Sequence, residues 1–182
     1  MIEQIKSCKK CKISNYRTQV VIPRGNPKSK LFFIGEAPGK DEDKKGMPFV
    51  GRAGQWFEHS MSYLRLTEND YYLTNIIKCR PFDGNRNRKP FSTEVDNCFG
   101  WLQWEIKNYL PETIVLMGKT ALETFFPYAK LKDIVGNNVL EHKNYTNTKF
   151  FVIYHPAVLI YHKEYYKPIY KRHLDSLEKI IK

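Results

Sequence analysis

No stretch of this 182-residue chain approaches the roughly 20 consecutive apolar residues that span a bilayer. A membrane-embedded role is therefore not expected. The first residues, Met1-Ile2-Glu3-Gln4-Ile5-Lys6, lack the apolar stretch of a secretory leader. That absence implies an intracellular, nucleoid-associated protein. Cysteine is scarce, with four in all, and disulfides rarely persist inside cells, so these four need a reason other than pairing. Neither internal repeats nor low-complexity segments occur, and there is no polybasic tail. The two common phosphate-binding glycine motifs are missing as well. Gly39-Lys40 is not followed by Ser or Thr at the spacing of a phosphate loop, and the dinucleotide fingerprint does not occur.

What the chain does have is positive charge and aromatic side chains. Thirty Lys and Arg against 19 acidic residues give +11, and aromatic residues make up 14%, with 12 Tyr and 11 Phe. A small protein this basic is expected to meet a polyanion, chiefly nucleic acid. The hydrophobic fraction of 42% suffices for an ordinary core, and the length fits one domain, residues 1–182, with a cysteine-bearing N-terminal arm (1–30) packed on it.

Four apolar runs read as strands: Leu31–Gly35, Tyr72–Lys78, Thr113–Gly118 and Phe150–Tyr154. None alternates apolar with polar, which predicts a parallel sheet covered on both faces. Helical spacing predicts helices over Ala53–Leu66, Ser92–Tyr109, Lys119–Phe126 and Pro168–Ile181, the last with Pro168 at its first position. Residues 128–149 read as a loop with a short edge strand. The alternation predicts an α/β fold, a three-layer α/β/α sandwich around a short, mainly parallel four-stranded sheet. In such sheets ligands bind beyond the carboxyl ends of the strands.

The distinctive residues fall at those ends. Gly35-Glu36-Ala37-Pro38-Gly39 allows a sharp turn and close backbone approach, and is also consistent with a plain turn. Asn75, an amide inside an apolar strand, needs partners. They are structural, or they belong to a base whose edge the amide reads. His155, before Pro156 and Ala157, is structural or catalytic on the same footing. Cys8-x2-Cys11, Cys79 and Cys98 offer four thiolates, suited to a [4Fe–4S] cluster or zinc. Zinc ribbons usually show two close pairs and only one is present, so the spacing favours iron–sulfur over zinc, with four unrelated thiols as the bland alternative.

GEAPGKDEDKKGMPFVGRAG, YLTNIIKCRP with a following GNR, IVLMG and YHPA occur in order along nearly the whole chain. As a set, with the four cysteines, they resemble the thermostable-type (family 4) uracil-DNA glycosylases. The resemblance implies an α/β/α fold and removal of uracil from single- or double-stranded DNA by a monomer. It implies that Phe49 stacks on the flipped uracil and Asn75 bonds its edge, while Gly35 and Ala37 line the pocket. Glu42 would exclude thymine's methyl group, His155 would stabilise the departing base, and Cys8, Cys11, Cys79 and Cys98 would hold a mainly structural [4Fe–4S] cluster. Glu36 is carried as a second catalytic candidate. Arg52, Lys78, Arg80, Arg86 and Arg88 are expected to contact DNA, with Leu159 or Ile160 as a wedge.

Three departures stand out. Eighteen residues separate Cys79 from Cys98, more than the family usually has, the excess lying in the basic loop Asp83–Pro90. Tyr161 stands where Arg is common, and the Lys-Arg-Arg-Ile-His insert of a DNA-trapping branch is missing. Rival readings are an inactive DNA-binding homologue, a glycosylase for another deaminated base such as hypoxanthine, and a cluster-based redox sensor.

Overall fold

The structure is a computed structural model and describes residues 2–84 and 86–182. Asn85, in the basic loop, lies outside the described residues. The chain runs through α1 (Ile2–Lys6), a 3-10 turn (Lys12–Asn15), β1 (Arg24–Gly25), β2 (Leu31–Gly35), α2 (Lys40–Lys45), α3 (Arg52–Leu64) and β3 (Tyr72–Asn75). A small hairpin follows, β4 (Phe82–Asp83) and β5 (Arg86–Asn87), then α4 (Ser92–Tyr109), β6 (Thr113–Met117), α5 (Lys119–Phe125) and α6 (Leu131–Ile134). The chain ends with β7 (Val139–Leu140), β8 (Lys149–Ile153), α7 (Val158–Tyr161) and α8 (Lys163–Ile181). No helix among the described residues is long and apolar enough to cross a membrane.

The main sheet has six strands in the order β1-β3-β2-β6-β8-β7, not the four expected. The expected four form its parallel centre, and β1 and β7 pair antiparallel at the two edges. Each edge strand is two residues long, too short to carry an apolar pattern. The central runs are continuous because both faces are covered: every residue of β2, β3 and β6 is buried. Phe32, Ile34, Leu116 and Phe150 pack under α4 and α5. Phe33, Leu73, Val115 and Phe151 pack under α3, α7 and α8.

Helix α4 begins and ends where the periodicity placed it. The Glu94 carboxylate accepts from the Phe91 amide at 2.8 Å, satisfying one open donor of the first turn. Helix α8 differs from expectation. It starts at Lys163 and carries Pro168 in its second turn, where the missing N–H removes the donor for the Glu164 carbonyl. The strand at Tyr72 stops at Asn75 rather than Lys78. The next amides, Ile76 and Ile77, still donate to Gly35 and Glu36 at 2.8 and 3.2 Å, and the chain then turns away.

That turn is braced by charge. Lys78, 2% exposed, places its ammonium 2.9 and 3.0 Å from the two carboxylate oxygens of Glu105 on α4, itself 1% exposed. Burial pushes the Glu105 carboxyl up, and the Lys78 ammonium opposes that. A buried pair broken on one side leaves an uncompensated charge, whereas replacing both partners with apolar groups is often neutral. Lys78→Met is expected to lower stability by about 3–5 kcal/mol, and Lys78→Met/Glu105→Leu to recover most of it. Urea denaturation of the two variants checks both.

Candidate functional site

The parallel register lines up Gly35 with Asn75 and Met117 with Ile153. The residues just beyond these strand ends surround one open cleft, together with the loop before α3. Asn75 is 3% exposed, and its Oδ1 meets no hydrogen-bond donor among the described residues. Gly35 explains how the amide and the Phe49 ring come so close. A methyl group there would lie 2.4 Å from Asn75 Oδ1 and 2.8 Å from Phe49 Cζ, so only a residue without Cβ leaves room for both.

Phe49 takes φ of 54°, a left-handed conformation uncommon for a bulky residue. Glu42 secures it. One Glu42 oxygen accepts from the Val50 and Gly51 amides at 2.9 and 2.8 Å, and the other from Gly39 at 3.0 Å. The carboxylate expected to meet the substrate is instead taken up by three backbone donors and braces the loop that carries Phe49. The Phe49 ring lies against Phe57, 5.2 Å between centroids, and is stacked on His155 at 5.5 Å and 29°.

His155 leaves β8 beside Gly118, whose φ of 91° and lack of Cβ allow the approach. Its Nδ1 accepts from the Ala157 amide at 3.2 Å. A neutral imidazole accepting at Nδ1 carries its proton on Nε2. Burial lowers the His155 pKa to about 4, so near neutral pH the ring is an uncharged donor. Glu36 also lines the cleft, with one oxygen held by the Thr120 hydroxyl at the start of α5. Ala37 lies next to it on the wall.

The expected DNA-contacting residues separate into two groups. Arg52, at the start of α3, is exposed and lines the cleft; Arg86 is exposed on the hairpin. Arg88 reaches the cleft, but its guanidinium grips Glu94 at 2.7 and 2.8 Å and holds that carboxyl below its usual range. Arg80 is 7% exposed, bonds Asn87 Oδ1 at 2.6 Å and covers the Phe82 ring. Lys78 is not a surface cation at all, because its ammonium is spent on Glu105 in the interior. Leu159, 4% exposed, packs in the core beneath α8, which removes it as a wedge. Ile160 and Tyr161 line the cleft in its place, with Tyr161 74% exposed. Asn87 also lines the cleft. Nothing in its sequence context marks it out from the polar loop around it.

The four cysteines line a separate, small cavity between the N-terminal arm, the Asn75–Arg80 segment and α4. Three of the four sulfurs accept hydrogen bonds: Cys79 from Arg17 at 3.2 Å, Cys98 from the Lys78 amide at 3.3 Å, and Cys8 from the Trp101 indole at 3.4 Å. Arg17 also bonds the Cys8 carbonyl at 2.6 Å, which clasps the arm to the Cys79 side. Burial pushes the Cys79 thiol up to about 12 and the Cys98 thiol to about 11. Among the described residues, no three His, Cys, Asp or Glu side chains converge on the position of a single ion.

The family profile of the Uracil DNA glycosylase superfamily matches residues 22–177. The type-4 uracil-DNA glycosylase of Archaeoglobus fulgidus is 35% identical over 180 residues, covering 94% of this chain and 89% of its own. That of Thermotoga maritima is 35% identical over 159 residues, 87% of this chain and 80% of its own. A type-5 uracil-DNA glycosylase from Pyrobaculum aerophilum reaches 27% over 165 residues, 80% of this chain and 69% of its own. Match and coverage together with the cleft at the strand ends lead to one assignment: the chain belongs to the uracil-DNA glycosylase superfamily, in its type-4 branch.

Proposed function

We propose that this protein hydrolyses the N-glycosidic bond of deoxyuridine in DNA, releasing uracil and leaving an abasic site. The observation that carries the reading is the unmet Asn75 Oδ1, set beside an aromatic face and a neutral imidazole donor. Uracil has a hydrogen on N3 and offers it to that oxygen. Cytosine has a lone pair there and would meet acceptor with acceptor. The buried oxygen thus favours the deaminated base over its parent, and leaving it unpaired costs about 1–3 kcal/mol.

A base inside duplex DNA must be flipped out to reach such a pocket, at a cost of a few kcal/mol that is least for a mispaired uracil. In this reading Phe49 stacks on the flipped ring, and the exposed Arg52 and Arg86 meet phosphates. Ile160 replaces the buried Leu159 as the residue that follows the base into the stack. As the C1′–N1 bond stretches, uracil gains negative charge. His155 donates from Nε2 toward O2 and stabilises that charge as an oxyanion-hole donor does. Glu42 assists only indirectly, by fixing Phe49. Of the two cleft glutamates Glu36 is the one not consumed by backbone amides, and we assign it to orienting the attacking water.

Cys8, Cys11, Cys79 and Cys98 fit a [4Fe–4S] cluster. A single zinc would draw its four sulfurs to within about 3.8 Å of one another, whereas a cluster gives each cysteine its own iron. The N–H groups aimed at three sulfurs suit thiolate ligands, and bound iron supplies the charge that removes protons from thiols as weakly acidic as Cys79 and Cys98. The group would act as a rigid cross-link between the arm and α4.

The test is a labelled oligonucleotide with one uracil, incubated with protein and then treated with alkali. Strand breakage at the uracil is expected, with cytosine and thymine oligonucleotides intact; no breakage by folded, iron-containing protein would refute the proposal. His155→Ala and Asn75→Ala should each slow cleavage about tenfold or more, measured under single turnover. Metal analysis should find iron in excess of zinc. Because the working His155 is neutral and gains its proton only near pH 4, the wild-type rate should not fall between about pH 8 and pH 5 through this residue. A loss centred near the ordinary histidine value of about 6.5 would contradict that protonation state.

A further inference from the structure

Lys78 touches more than Glu105. Its Nζ donates to the main-chain carbonyl of Asn75 at 3.0 Å and to the Thr74 hydroxyl. Its amide donates to Cys98 Sγ, and its carbonyl accepts from the Val21 amide of the N-terminal arm at 2.8 Å. Cys98 and Glu105 stand seven residues apart on α4, two turns of one face. One helix face therefore grips Lys78 at both its backbone and its ammonium. Asn75 is the last residue of β3, and the peptide that follows it is held from two sides. Its N–H, on Ile76, donates to the Gly35 carbonyl at 2.8 Å, and its carbonyl, on Asn75, accepts from the Lys78 ammonium.

We propose that Lys78, held by Glu105, is a positioning residue for uracil recognition: it sets the peptide of Asn75, and thereby the direction of the Oδ1 that reads the base. The inference rests on the recognition role of Asn75 proposed above. A hydrogen bond from a buried charge is worth more than one between neutral groups. The hydroxyl of Thr74 and the carbonyl of Asn75 are bound by the same ammonium, which restricts rotation of the strand end as one unit. Neither Lys78 nor Glu105 lines the cleft, so any effect on catalysis must pass through the residues they hold.

The experiment is a double-mutant cycle between Lys78→Met/Glu105→Leu and Asn75→Ala, read as single-turnover uracil release. Stability, iron content and affinity for undamaged DNA of the same sequence are measured on every variant. The expected result is a Lys78→Met/Glu105→Leu protein with near wild-type stability, iron and DNA affinity that cleaves about tenfold more slowly, the scale of one lost charged hydrogen bond. In the Asn75→Ala background the same two substitutions should cost nothing further, because residues acting through a single group are not additive. A wild-type rate for Lys78→Met/Glu105→Leu, or an equal loss in the Asn75→Ala background, overturns the proposal. Should that variant fail to fold, Glu105→Gln keeps shape and an acceptor. It is expected to give a smaller loss that vanishes in the Asn75→Ala background, and a loss that persists there overturns the proposal equally. An unchanged rate for Asn75→Ala alone refutes its recognition role and this inference with it. A slow Asn75→Ala beside a fast Lys78→Met/Glu105→Leu refutes the inference only.

Discussion

A buried amide oxygen, that of Asn75, with no donor among the described residues is the constraint on which the rest of this structure depends. It is unfavourable in the resting protein, and it persists because the surroundings fix it. Gly35 gives it room, the parallel ladder with β2 sets its height, and the ion pair behind it ties down its backbone. The groups around it share this character. Phe49 is kept in a left-handed conformation by three amides that converge on Glu42, and the His155 ring is oriented by the Ala157 amide. Each of these groups is positioned by backbone hydrogen bonding rather than by side-chain packing alone, so the shape of the cleft is set by the protein itself.

The acidic residues are deployed in the same way. In a chain of net charge +11, the carboxylates of Glu42, Glu94, Glu105 and Asp43 are turned inward onto backbone amides or cations. Such placement removes negative charge from the surface and uses it to order loops. It also explains why so many of the basic residues near the cleft are committed to partners. Arg88 and Lys78 stabilise the protein that presents Arg52 and Arg86.

Much of this was legible in the sequence. Continuous apolar runs located the four central strands because a strand covered on both faces has no polar positions to show. Helical spacing located α4 to the residue. The strand ends brought Gly35, Asn75 and His155 into one region. What sequence could not supply was direction. Glu42 and Lys78 belong to motifs expected to face substrate and DNA, yet the Glu42 carboxylate, though at the cleft, is taken up by three backbone amides and the Lys78 ammonium turns inward onto Glu105, and a motif does not encode which way a side chain points. Leu159 and Ile160 are neighbours of like chemistry, and only the packing of α7 on α8 separates the buried one from the cleft-lining one. The edge strand β7 falls within residues 128–149, where a short edge strand was expected, whereas β1 and Asn87 left no trace because a two-residue pairing and a single polar loop residue have no pattern to detect.

The spacing of Asn75 and Cys79 has a consequence for how such a chain can vary in length. The five residues from Asn75 to Cys79 connect the cleft to the cysteine cavity with no slack, since the Asn75 carbonyl is held by the Lys78 ammonium and Ile76, Ile77 and Lys78 each make a backbone hydrogen bond to Gly35, Glu36, the arm or α4. An insertion there would displace the Asn75 amide or Cys79. Beyond Cys79 the chain behaves differently. Between Cys79 and Cys98 the chain folds back as a hairpin, Phe82–Asp83 against Arg86–Asn87, and Cys98 sits on α4 beside the same cavity as Cys79. A change of length on the hairpin side of Cys79 therefore need not move Asn75 or either cysteine, whereas one on the other side must, and the hairpin side is the one that carries the exposed Arg86.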